Sequence, residues 1–157
     1  VIAGLDFSTK SVDCVLLSED ADEARWFRRR IEAASALEAA RKVRDVLPAR
    51  GAWRDEGVVA VGIERPFGHP ATVTALMRVQ GAILSCIAPE IPVYEIAPSS
   101  WMKRFGGKGD ATKSEIRERA TPFFADPPRQ QDLYDACGIA AAARQIHDET
   151  TTRKEAA

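Results

Sequence analysis

Twice in this chain an unbroken apolar run ends in a carboxylate, each time with a glycine two residues before the acid: Val-Ile-Ala-Gly-Leu-Asp at 1–6 and Val-Val-Ala-Val-Gly-Ile-Glu at 58–64. Runs of this kind read as strands buried on both faces. Residues two apart on a strand share a face, so Asp6 lies beside the bare backbone of Gly4, and Glu64 beside that of Gly62, where another element can approach closely. As neighbours in one sheet, the two strands bring two acids to the same end. Their repulsion must be relieved by a proton or a cation, which points to a divalent metal site.

The intervening residues supply the connection that such neighbours need. Residues 12–17 and 24–31 read as strands of an antiparallel meander, with Asp20 and Asp22 marking the turn between them. Residues 33–47 carry apolar side chains at helical spacing with Glu38, Arg41 and Arg44 outside, and Pro48 ends the pattern. This predicts a crossover helix, followed by a surface loop over 51–57, which returns the strand at 58 parallel to the first. The expected class is α/β.

With 157 residues, 45% of them apolar, the chain holds one ordinary core. The predicted domain covers 1–148, and the polar residues 149–157 are expected to form a flexible tail. A formal net charge of −1 excludes a uniformly basic protein, so nucleic-acid binding requires a local patch. Cys14, Cys86 and Cys137 show no metal-ligand or disulfide spacing, which fits a reducing, cytoplasmic compartment. No apolar run reaches a bilayer span and no leader precedes the first strand, so a soluble, non-secreted protein is expected.

Residues 70–88 form a predicted helix with more apolar positions than one sheet covers, which suits either a dimer-forming helix or a central helix of the monomer. A short strand at 91–96 and helices at 98–104, 112–120 and 130–147 follow. The last helix places Asp132 and Asp135 on one face, continued by Ile139, Ala142 and Ile146. Acids on an apolar stripe must be paired or bind metal. Ala136, Gly138 and 140–143 make this helix thin enough to approach the glycines beside Asp6 and Glu64. Lys103, Arg104, Lys108, Lys113, Arg117 and Arg119 form the local basic patch. The glycines at 106, 107 and 109 and the start of the following helix offer amides suited to phosphate. His69, in a turn, and His147, at a helix end, are read as surface residues.

Gly4-Leu-Asp6, Ile63-Glu64, Gln80-Gly81, Pro98 to Lys103, Gly109 to Lys113 and Asp132-x-x-Asp135 occur in an order that resembles the RuvC-type Holliday junction resolvases of the RNase H-like superfamily. The resemblance spans roughly residues 1–147. It implies a mixed five-stranded sheet with helices on both faces and a homodimer that cuts four-way DNA junctions. By the same resemblance Asp6, Glu64, Asp132 and Asp135 hold two magnesium ions, with manganese as a substitute, for two-metal phosphodiester hydrolysis. Lys113 belongs to the catalytic set. Lys103, Arg104, Lys108 and Lys113 contact DNA, and Phe67, in a turn bracketed by Pro66 and Pro70, matches an aromatic that stacks near the crossover. Alternatives left open are a metal-dependent nuclease for flaps or forks and a non-catalytic DNA-binding module; a branch-migration motor is a further partner left open. A sugar-kinase-like ATPase half needs a duplicated domain, for which this chain is too short.

Overall fold

The computed structural model describes residues 1–18 and 23–156. The expected turn residues Asp20 and Asp22 lie outside these. Strands β1 (Ile2–Phe7), β2 (Ser11–Leu17) and β3 (Ala24–Arg30) form the antiparallel meander, and β4 (Ala60–Glu64) and β5 (Val93–Ile96) complete a five-stranded sheet in the order β3-β2-β1-β4-β5. β1 pairs antiparallel with β2 and parallel with β4, which pairs parallel with β5. This is the mixed sheet expected.

Helices cover both faces, and each face has its own core. On one, α1 (Ala36–Val46), α2 (Arg50–Asp55) and α3 (Pro70–Cys86) bury Ala39, Val43, Trp53, Val79 and Ile83 against Ala3, Leu5, Val12, Cys14, Val61 and Ile63. On the other, α4 (Pro98–Gly106), α5 (Lys113–Ala120) and α6 (Gln131–Glu155) bury Trp101, Ile116, Leu133, Tyr134 and Ile139 against Ile2, Val15, Leu17 and Ala60. Covering both faces is what lets β1 and β4 be continuously apolar. All three cysteines are buried and free. No helix among the described residues is long and apolar enough to cross a membrane.

Three departures from the sequence expectation exceed two residues. The loop expected over 51–57 is instead mostly helix α2, because Trp53, 2% exposed, packs beneath the sheet and draws its neighbours into a turn of helix despite Gly51. Helix α1 begins at Ala36, not at 33. Ser35 Oγ accepts the Glu38 amide at 3.2 Å while Glu38 Oε2 accepts the Ala34 amide at 2.9 Å, which fixes the start. The flexible tail expected from 149 is not irregular: α6 continues to Glu155. Arg104 clamps Glu149 through two contacts of 2.8 and 3.3 Å, tying the extension to α4.

Candidate metal and nucleic-acid site

The register places the two strand acids together. Gly4 pairs with Gly62 and Leu5 with Ile63, so Asp6 and Glu64 leave β1 and β4 at the same end. Helix α6 crosses directly over the glycines. A β-carbon on Gly62 would lie 2.7 Å from Ala143 Cβ and 2.9 Å from the Ile139 carbonyl oxygen, and one on Gly4 would collide with the Ala136 carbonyl. Only bare backbone admits the helix at this depth. On its other side Gly138 makes room for the Trp101 ring, so α6 is wedged between the sheet and α4.

This contact sets the acids of α6 over those of the sheet. Asp6, Asp132 and Asp135 each offer a carboxylate oxygen, and all three oxygens lie within 4.8 Å of one another. Glu64 stands beside them but is engaged differently: its Oε2 accepts the indole N–H of buried Trp101 at 2.6 Å. Gln131 Nε2 donates to Asp135 Oδ1 at 3.0 Å and to the Lys113 carbonyl at 3.3 Å, linking the acid cluster to the start of α5.

The electrostatics are those of negative charge crowded into a half-buried pocket. Burial, then the nearby Glu64, Asp135, Asp132 and Asp13 carboxylates, push the Asp6 carboxyl well above its ordinary range. Burial also raises Glu64, opposed by the Trp101 hydrogen bond and the Lys113 charge and reinforced by Asp135. Asp135 is raised by burial, against the Gln131 hydrogen bond and Lys113. Carboxylates that resist ionising next to one another are relieved by a shared cation. An all-oxygen set of acids suits a hard divalent ion such as magnesium or manganese, so the residues fit the metal expected of them.

The basic segment divides into two kinds of charge. Lys103 and Lys113 are exposed and form no ion pair among the described residues. Arg104 is paired with Glu149, and Lys108 with Glu115 at 2.8 Å. The glycines here have structural work: Gly106 is buried against Ala111, and Gly107 ends α4 with φ of 83°. Thr112 and Glu115 cap α5 reciprocally, which uses amides that the sequence offers to phosphate. Phe67 is 60% exposed in the turn after Glu64. His69 accepts the Ala71 amide at the start of α3, and His147 meets the Tyr94 hydroxyl at 3.1 Å.

Sequence reasoning passed over Trp101, Gln131, Asp13 and Arg28. Asp13 lies opposite Asp6 on β2, and Arg28 opposite Asp13 on β3. The signal for Asp13 is a lone acid in a buried strand, Ser-Val-Asp-Cys-Val, joined to β1 by a short turn.

No family model matches the chain. Over 85 residues, 51% of its length, it is 32% identical to the crossover junction endodeoxyribonuclease RuvC of Cytophaga hutchinsonii; the match spans 42% of that relative. Among solved structures it is similar to Thermus thermophilus RuvC in complex with a Holliday junction substrate, with a TM-score of 0.72 and 21% identity over 96% of each chain. A second Thermus thermophilus RuvC structure gives a TM-score of 0.67, again at 21% identity over 96% of each chain. The chain therefore has the RNase H-like fold, and the resemblance found in its ordered motifs extends to sequence and structure.

Proposed function

We propose that this protein is a metal-dependent endonuclease of the RuvC type that cuts four-way DNA junctions as a homodimer. The observation that carries the proposal is the convergence of Asp6, Asp132 and Asp135, with Glu64 alongside, at one end of the sheet. Asp6, Glu64, Asp132 and Asp135 hold magnesium, two ions per site, with manganese as substitute. Bound there, a divalent ion supplies Lewis-acid stabilisation of the phosphate and lowers the pKa of the attacking water.

The chain's own residues do the rest. The α6 contact with Gly4 and Gly62 holds helix acids over strand acids, and Trp101 fixes the Glu64 carboxylate by one short hydrogen bond. Lys113 is close enough to Glu64 and Asp135 to lower both carboxyls, so its ammonium stands at the edge of the cluster to meet a phosphate oxygen. Lys103, with Arg104 and Lys108 when their exposed carboxylate partners yield, contacts the backbone on either side. Phe67 stacks on a base exposed at the crossover. The partner subunit covers the start of α3, where Val73 and Leu76 are half-buried and Met77 is 59% exposed, and a two-fold axis pairs the two cuts.

Synthetic four-way, flap, fork and linear DNA, each incubated with magnesium and with chelator, test the proposal. Paired, magnesium-dependent nicks in the four-way junction are expected. Preferential cutting of flaps or forks replaces the substrate assignment, and binding with no cutting in magnesium refutes the nuclease.

A further inference from the structure

Asp13 and Arg28 stand in a row with Asp6, and the proposed metal site makes no use of them. The register sets Asp6 opposite Asp13 and Asp13 opposite Arg28, so the three side chains lie side by side across β1, β2 and β3 on the face that α6 covers. Asp13 is 1% exposed, and its Oδ1 has no hydrogen-bond partner among the described residues. A buried carboxylate in that position is costly unless a countercharge is fixed nearby. Arg28 Nη1 supplies it at 3.4 Å. The same nitrogen lies 3.4 Å from Asp132 Oδ2, and Nη2 donates to Ser11 Oγ at 3.3 Å.

The guanidinium is thus held on the β2 side by a carboxylate and a hydroxyl, and presents its remaining contact to one oxygen of Asp132. Among the described residues no hydrogen bond or ion pair engages Asp132 Oδ1, so an ion can take that oxygen without displacing the guanidinium. Asp132 needs such a hold, since its side chain is 41% exposed in the first turn of α6.

We propose that Arg28, anchored by buried Asp13, is a positioning residue that fixes Asp132 in the orientation in which it shares an ion with Asp6 and Asp135. The inference rests on the reading of the acid cluster as a metal site. Partners that orient metal ligands from behind typically govern about 10–100-fold in metal affinity. Arginine suits the place because its two terminal nitrogens meet the two carboxylates and the hydroxyl together in one fixed plane, whereas a lysine offers a single nitrogen on a flexible stem. Ionised Asp13 and Arg28 cancel in charge, so at about pH 8 the double variant Asp13→Asn/Arg28→Met leaves the net charge of the site unchanged. Any change in its ion affinity therefore reports position.

Manganese affinity of the full chain, measured by titration calorimetry, is compared among the wild type, Arg28→Lys and Asp13→Asn/Arg28→Met, with thermal melting in chelator and in manganese recorded for each. The double variant is expected to bind manganese about tenfold or more weakly, and Arg28→Lys, which keeps the buried charge compensated, to fall between. A merely structural Arg28 lowers the melting temperature equally with and without manganese and leaves affinity unchanged; wild-type affinity in either variant overturns the inference. If the wild type binds no manganese, the metal-site reading falls and this inference with it. Manganese binding by the wild type together with equal binding by the variants removes this inference alone.

Discussion

The closeness of α6 to β4 makes Gly62→Ala a quantitative test of how the site is held. The new methyl would sit 2.7 Å from Ala143 Cβ, 2.9 Å from the Ile139 carbonyl oxygen and 3.1 Å from Ile139 Cγ2. Ordinary contacts between carbons are about 3.5–4.0 Å, so the helix must retreat by about 1 Å. Overpacking of this kind costs about 1–3 kcal/mol, and the upper end applies because one contact is backbone that cannot rotate away. At about 2–4 °C per kcal/mol for a chain of this size, melting should fall by roughly 6–12 °C. Ala143→Gly should alone cost about 1 kcal/mol in helix propensity. It removes the closest contact and leaves those to Ile139, so the double variant should be at least about 1 kcal/mol more stable than the sum of the singles predicts. Melting by circular dichroism reads all four proteins. A Gly62→Ala protein that melts within about 1 °C of the wild type, or strictly additive costs, would refute the account of how α6 is seated.

Three further outcomes follow from the site. Burial, offset in part by Arg28, raises Asp13 from the ordinary 3.8 to about 6. A raised carboxyl stabilises the fold when protonated, so this contribution is present below about pH 4 and about 3 kcal/mol of it is lost as pH rises through about 6; Asp6, Glu64 and Asp135 act in the same direction. In chelator the melting temperature should therefore fall as pH rises from about 4 to 7, magnesium should restore at pH 7 the part due to Asp6, Glu64 and Asp135, and an ion-independent profile contradicts the reading. Phe67→Ala should change stability by no more than about 0.5 kcal/mol while weakening junction cleavage by roughly 5–150-fold, the worth of one stacked base at about 1–3 kcal/mol, with Phe67→Trp retaining part; a stability loss of about 3 kcal/mol moves the ring into the core. Neutralising Lys103 or Lys113 should reduce the salt slope of junction binding by about 0.9 per contact, or about twice that in a dimer, and more than neutralising Arg104 or Lys108, whose charges are shared with Glu149 and Glu115; an unchanged slope removes the contact.

The centre of the fold was legible because its physics is local. Gly4 and Asp6 repeat as Gly62 and Glu64, so the spacing that marks each strand end also matches their pairing register. The small residues of α6 likewise announce a helix meant to lie close. Arg28 was illegible because Arg28-Arg29-Arg30 looks like a solvated strand edge, and only the antiparallel register turns the first of them toward Asp13. Trp53 and Trp101 act through long-range burial that no window of sequence contains, and the first of them makes a helix where glycine suggested a loop. The residues beyond 148 are polar in composition, yet their helix is stitched by Arg104, which lies 45 positions away from Glu149.

Junction cleavage by Asp6→Asn in magnesium tests the central claim most directly. The amide keeps the shape and removes the charge around which Glu64, Asp132 and Asp135 gather. Cutting of a four-way junction should fall by about two orders of magnitude or more, while a gel-shift assay in calcium or chelator shows junction binding retained. Wild-type cleavage by Asp6→Asn at the same magnesium concentration would contradict the assignment of the metal site.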